Sequence, residues 1–279
     1  MRIITDSAAD FSQEELAQYQ IRCVSTQVIF GGEVCTPGLD LSHEDFWLRL
    51  LAGGSAKTSQ PAPGAFLDAF QAAKDAGEEV VCVCVSSGVS GTVQSARLAA
   101  AMCDWEGLHV VDSLTGTAAQ KLLVLHACRL RDEGRLTAGQ VAAELESMRG
   151  RVRLLASLDT LEYLARSGRI PRALAGLGAL TKLKPLLEVS REGKIVLAGK
   201  AFGRHRAIDS LAQRVAETAI DPACPVIPLY SYDPSNCHAL VRKLKSRAVE
   251  VSGDFSAIGP SIAPHIGPNA YGVAFVAAP

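Results

Sequence analysis

The sequence predicts an α/β protein of two domains. The N-terminal one carries a mostly parallel sheet with helices on both faces, the C-terminal one a mixed, partly antiparallel sheet with helices. Three observations carry this. The first half alternates strand-like and helix-like segments, the pattern of a parallel sheet with crossover helices. Val80–Thr92, VVCVCVSSGVSGT, is a continuous apolar run ending in small polar residues before a helix-like segment, as a buried strand feeding a helix would read. The second half places Leu186–Val189 and Ile195–Ala198 around Arg191-Glu192-Gly193-Lys194, a hairpin signature followed by a β-α-β-α-β pattern. The boundary is placed near residue 155, dividing the chain into 1–155 and 156–279.

The elements follow in order. Arg2–Ile4 is a first strand. Ser12-Gln13-Glu14-Glu15 fits a capping box before a short helix. Cys23–Ile29 reads as one strand, Ser42–Leu51 as a helix capped by Ser42, and Gly53–Pro63 as a loop. A helix covers Gly64–Ala76, the central strand Val80–Val85, a further strand Leu108–Val111, and helices Thr117–Asp132 and Thr137–Arg149. Leu154–Ser157 is strand-like and Thr160–Arg166 a short helix. Pro171 starts another helix, at the first position that proline tolerates. Helices at Arg206–Thr218 and Ser235–Arg247 then alternate with strands at Val226–Ser231, Phe255–Ile258 and Gly272–Val276.

Composition narrows the function. The chain has 279 residues, 48% of them hydrophobic but only 5% aromatic, so the core must be built mainly from Leu, Val, Ala and Ile. A net charge of −1 argues against a general nucleic-acid binder. No run approaches the roughly 18 apolar residues of a membrane span, and Met1–Asp6 lacks the apolar region of a signal peptide. Eight scattered cysteines include no C-x-x-C pair. Cys82 and Cys84 share one strand face and form a conceivable chelating pair, but small buried side chains in a reducing cytoplasm are the favoured reading. Charge is uneven. Arg166–Arg206 holds ten Lys/Arg and two Glu, +8 locally against −9 elsewhere. Such a stretch is either a solvated face or a docking surface for an acidic or phosphate-bearing partner.

Four loops gather small polar residues at element ends: Thr5-Asp6-Ser7, Thr58-Ser59-Gln60-Pro61, Ser86–Thr92 and His265–Asn269. Ligands of open parallel sheets bind beyond the carboxyl ends of the strands, and the first and third loops fall there. The Ser86–Thr92 turn also opens a helix. Its first N–H groups lack intrahelical partners, the dipole favours negative charge, and the serine hydroxyls add donors. Asp6 and Asp112 are turn caps in preference to metal ligands, because no His/Asp/Glu cluster has ligand spacing. Ser90 as a hydrolase nucleophile would call for G-x-S-x-G, and Gly88-Val89-Ser90-Gly91-Thr92 has no glycine at the second place.

Taken together and in order, several segments resemble the DegV family, whose members include the FakB fatty-acid-binding proteins of bacteria. They are Ile4–Asp10 (ITDSAAD), Thr58-Ser59-Gln60-Pro61, Ser86–Ala96, Leu161–Ile170 (LEYLARSGRI), Lys184-Pro185 and His265-Ile266-Gly267-Pro268. The resemblance spans nearly the whole chain. It implies a cytoplasmic protein that binds one long-chain fatty acid between two domains, with no other cofactor and no catalysis of its own. In the FakB branch an ATP-dependent fatty-acid kinase phosphorylates the bound carboxylate, and the acyl phosphate passes to acyltransfer enzymes at the membrane surface for phospholipid synthesis. Carried over by motif, Thr58, Ser90 and Gly91 would bind the carboxylate, with His265 adding a donor if protonated. Arg169 and Arg204 would face the kinase. Tail burial at about 0.8 kcal/mol per methylene would supply the affinity and the polar cluster the orientation. The tail is sought along Ile170–Leu187, whose Ala-Gly-Leu-Gly-Ala core equally suits close helix packing. Two departures stand out. Phe202 occupies a position where members often carry arginine, which weakens the kinase assignment. Asn269 replaces a usual glycine, in a turn that asparagine tolerates. Two rival functions are a lipid sensor without a kinase and an acyl hydrolase using Ser90 and His265.

Overall fold

The structure, a computed structural model, describes residues 1–171, 173–174 and 182–279. The chain divides into two compact units, Met1–Gly150 and Arg151–Pro279. The division falls five residues before the expected 155. The strand that follows it is hydrogen-bonded on both sides within the second sheet, so it belongs wholly to the second unit.

The first unit is built on a four-stranded parallel sheet. Its strands are β1 (Arg2–Asp6), β2 (Ile21–Val24), β6 (Val80–Cys84) and β7 (Leu108–Asp112), in the order β2-β1-β6-β7. Every residue of β6 is buried, as a central strand covered on both faces requires. Cys82, Cys84 and Ile4 face α3 (Pro63–Asp75) and α4 (Thr92–Cys103), packing with Phe66, Phe70, Val93 and Ala96. On the other face α5 (Thr117–Glu133) comes close enough for Gln120 to reach Thr5 and the Val83 carbonyl, and α6 (Ala138–Arg149) packs beside it. The capping box of α1 (Gln13–Gln18) is present, with Ser12 and Glu15 bonding reciprocally, and Thr137 with Gln140 forms a second one before α6. Ser42 caps α2 (His43–Leu51) as expected.

The segment read as one strand, Cys23–Ile29, is two. β2 ends at Val24, the chain turns at Ser25-Thr26, and β3 (Gln27–Phe30) starts a separate antiparallel sheet. That sheet has the order β4-β3-β5, with β4 (Glu33–Cys35) and β5 (Ala56–Ser59) on its edges. β5 lies inside the stretch expected to be a loop and puts Thr58 opposite Val28. Pairing with β3 supplies the ladder that the short, polar AKTS segment does not advertise.

The second unit carries a six-stranded sheet. Its strands are β8 (Val152–Ser157), β9 (Leu183–Val189), β10 (Ile195–Phe202), β11 (Ile227–Tyr230), β12 (Ser256–Ala257) and β13 (Tyr271–Val276), in the order β10-β9-β8-β13-β11-β12. Only β11 and β12 pair in parallel. The β9–β10 hairpin is present, closed by Ser190 and Lys194. One face packs Leu155, Leu186, Val273 and Phe275 against α8 (Arg204–Ala216) and α9 (Ser235–Ser246). Leu187 and Leu197 instead join a cluster with Leu161 and Leu164, around α7 (Glu162–Arg166), and with Ile266 of α10 (Ala263–Ile266). Most of the helix expected from Pro171, and the Ala-Gly-Leu-Gly-Ala core of the tail-lining stretch, lie outside the described residues.

Candidate functional site: an oxyanion cradle at the start of α4

The Ser86–Gly91 turn is held in shape from three directions. The Ser86 N–H donates to the Thr115 carbonyl at 2.8 Å, and the Ser86 carbonyl accepts from the N–H groups of Val89 and Ser90 at 3.2 and 3.1 Å. The Ser86 hydroxyl accepts from the Gly88 N–H at 3.0 Å. From β7, Asp112 Oδ1 accepts from the N–H groups of Ser87 and Leu114 at 3.2 and 3.0 Å, capping its own turn while pinning the neighbouring one. From β1, Asp6 accepts from the Val85 N–H at 2.7 Å, the Ala8 N–H at 2.9 Å and the Gln120 amide at 3.2 Å. Burial pushes its carboxyl up to about 6, against those hydrogen bonds. Both aspartates therefore act as caps that join loops, as their positions suggested. Among the described residues no group of three or more His, Cys, Asp or Glu is arranged to hold a metal.

Scaffolded in this way, the turn delivers Ser90 and Gly91 to the first turn of α4. Ser90 Oγ lies 2.8 Å from Thr92 Oγ1 and accepts from the Thr92 N–H at 3.3 Å. Gly91 is the N-cap and supplies no side chain, and the N–H groups of Gly91, Val93 and Gln94 take no acceptor among the described residues. A twelve-residue helix thus presents N–H groups beside two hydroxyls, which is chemistry suited to a carboxylate or phosphate.

Thr58 is half-buried near the end of β5. Two residues on, Gln60 reaches α4, where its Nε2 donates to Ser95 Oγ at 3.0 Å. The Thr58-Ser59-Gln60 segment and the Ser90-Gly91 turn are thereby brought together within the first unit. Gln60 lies within the Thr58-Ser59-Gln60-Pro61 motif, where the sequence assigns it no role, and its contact with α4 spans 35 positions.

The other predicted residues lie in the second unit. His265 is on α10, half-buried, with Nδ1 fully enclosed. Burial, with the Arg169 charge adding to it, lowers its imidazole to about 4, so near neutrality it is uncharged. A neutral imidazole still donates through one nitrogen, but the protonated donor anticipated from sequence is not the form at pH 7. Arg169 itself is half-buried, and its guanidinium donates to the Ser167 carbonyl at 2.5 Å. Arg204 is exposed at the first position of α8, beside an exposed Phe202. Asn269 takes φ +62, the left-handed turn expected of it. Its side chain donates to Asp159, whose other oxygen accepts from Lys184 at 2.6 Å, so part of the basic stretch is paired internally. The cysteines are all free and six are buried. The Cys82 and Cys84 sulfurs lie 3.7 Å apart, and their mutual hydrogen bond and burial hold the Cys84 thiol far from ionisation.

Comparison with known proteins identifies the family. The family profile described as "Uncharacterised protein, DegV family" matches residues 1–278. A DegV domain-containing protein of Deinococcus radiodurans is 35% identical over 276 residues, covering 98% of this chain and 96% of its own. The chain belongs to the DegV family. Among solved structures, a Thermus thermophilus DegV family protein described as binding fatty acid superposes with a TM-score of 0.88 at 30% identity over 100% of both chains. A stearic-acid-binding protein from Eubacterium ventriosum gives 0.88 at 26% identity, over 99% of this chain and 98% of its own. Both are proteins described as binding a fatty acid, stearic acid in the second case.

Proposed function

We propose that this protein binds one long-chain fatty acid and presents its carboxylate to an ATP-dependent fatty-acid kinase, acting as a cytoplasmic carrier and not as a catalyst. The observation that carries the reading is the start of α4, where free N–H groups and the Ser90 and Thr92 hydroxyls gather beside the Thr58 segment. An anion buried without such donors would be prohibitively unfavourable, whereas neutral donors fixed in advance pay little reorganisation on binding. Thr58, Ser90 and Gly91 are the carboxylate ligands in this reading. His265 is included on the family pattern, as a neutral donor. Arg169 and Arg204 are assigned to the kinase-facing surface on the same pattern, with Arg204 the better placed for contact because it is exposed. The kinase and the membrane acyltransfer enzymes rest on membership of the family. Among the described residues no helix is long and apolar enough to cross a membrane.

The affinity would come from the tail, roughly 11 kcal/mol gross for about fourteen methylenes before ordering costs. The hydrolase alternative is the weaker one, because Ser90 Oγ spends its hydrogen bonds on Thr92. The test is reconstitution. Chain loaded with labelled fatty acid is mixed with a fatty-acid kinase and ATP. Labelled acyl phosphate, absent when either protein is omitted, is the expected product. Loaded chain that yields none with an active kinase would reduce the function to lipid binding or sensing.

A further inference from the structure

The reading above leaves one side chain at the cradle without a function. Gln60 follows the last residue of β5 and is exposed, yet its carboxamide is tied to the buried hydroxyl of Ser95 at 3.0 Å. Fixing a glutamine side chain at a surface sacrifices rotamer freedom, so the arrangement calls for a reason. A second observation makes the fit specific. Gly91 has φ −79, a conformation open to any residue, so its backbone does not demand glycine. Its neighbour does. A Cβ at Gly91 would lie 2.0 Å from Gln60 Oε1 and 2.8 Å from Cδ. The carboxamide is therefore seated directly on the bare α-carbon of the α4 N-cap, and Gly91 and Gln60 form a matched pair.

We propose that Gln60 is a specificity-determining and positioning residue of the fatty-acid carboxylate site. It clamps the Thr58 segment to the first turn of α4 and keeps that wall of the cradle uncharged. The choice of an amide is the informative part. A glutamate there would span the same distance, would accept a bond from the Ser95 hydroxyl, and would be favoured by the helix dipole. As a purely structural clamp it would serve at least as well. It becomes unfavourable only when the same helix end must hold a second negative charge, because like charges placed together oppose each other strongly.

This inference rests on the fatty-acid reading, and one set of titrations separates the two. Delipidated wild-type chain, Gln60→Glu and Gln60→Ala are titrated with a sixteen-carbon fatty acid and with the corresponding fatty alcohol, at pH 8 and pH 5, and their Tm values are recorded. Gln60→Glu is expected to melt at or above the wild-type temperature. It should bind the acid about tenfold or more weakly at pH 8, recover toward wild type at pH 5, and bind the alcohol as the wild type does. Gln60→Ala is expected to weaken the acid by a similar factor at both pH values, with no such recovery. Wild-type binding of the acid together with unchanged acid binding by Gln60→Glu at pH 8 would overturn the inference alone. A wild-type chain that takes up neither lipid would overturn the fatty-acid reading and this inference with it.

Discussion

The polar residues around Ser90 and those around His265 follow opposite electrostatic plans. In the first unit the groups that hydrogen-bond around α4's first turn are neutral: hydroxyls, peptide N–H groups and one carboxamide. The nearby carboxylates of Asp6 and Asp112 are turned inward, where they are consumed as acceptors for loop N–H groups. In the second unit burial, with the Arg169 charge adding to it, keeps the His265 imidazole uncharged near neutrality. A neutral set of donors keeps its character across pH. A His–Arg pairing does not, because the charge of one partner depends on burial and on the other. In the proposed reading the α4 start is therefore the pH-independent anchor, and His265 enters it only as a neutral donor.

Backbone strain sharpens the contrast most strongly. Gly267, after α10, has φ +73 and ψ −175, a region essentially reserved for glycine, and a Cβ there would lie 2.4 Å from the Tyr163 ring. Gly267→Ala should destabilise the second unit by roughly 3 kcal/mol, combining conformational strain with overpacking. Trp47 and Trp105, both in the first unit, account for the two tryptophans of the chain. Circular dichroism on heating should therefore shift more than tryptophan fluorescence. Equal shifts would mean that the two units unfold as one.

The pH dependence should have opposite signs in the two regions. Asp6 holds its proton to about 6 when folded, against 3.8 for a free aspartate. Its contribution is present at low pH and is lost as pH rises from about 4 through 6, by at most about 3 kcal/mol. His265 has a folded value of about 4 against 6.5 free, so its contribution is present above 6.5 and is lost as pH falls through 4. Asp6→Asn should flatten the first trend in urea unfolding between pH 4 and 6. It should also lower stability at pH 7 by about 1–3 kcal/mol, since an amide cannot accept from all three of Asp6's donors. His265→Gln should flatten the second trend. Unaltered slopes in both variants would remove the electrostatic contrast. The smallest effect is expected at Ser90. Ser90→Ala deletes one hydroxyl and should weaken fatty-acid binding about tenfold while leaving Tm nearly unchanged. Loss of an ester-cleaving activity in that variant would favour the hydrolase instead.

How legible was all this from sequence? Val80–Thr92 announced both the central strand and the α4 start, because an apolar run, small polar residues and a helix are local signals. The capping boxes at Ser12 and Thr137 are equally local. β5 was missed because AKTS has neither length nor an apolar pattern, and its reason for being a strand is β3, some 30 residues earlier. The break between β2 and β3 carries no Gly or Pro, so one strand was read where two sheets divide. Gln60 and Gly91 illustrate the same limit at the site: each is unremarkable alone, and the fit between them exists only in three dimensions. The neutrality of His265 depends on burial and on Arg169, 96 positions earlier, which no spacing rule conveys.

The most direct test of the central claim is extraction. Purified chain is denatured and extracted with organic solvent, and the small molecules are identified by mass spectrometry against a mock purification. One long-chain fatty acid per chain is the expected result, and its identity would give the preferred length and unsaturation. A clean extract from folded protein, with no uptake when fatty acids are then supplied, would contradict the carrier function.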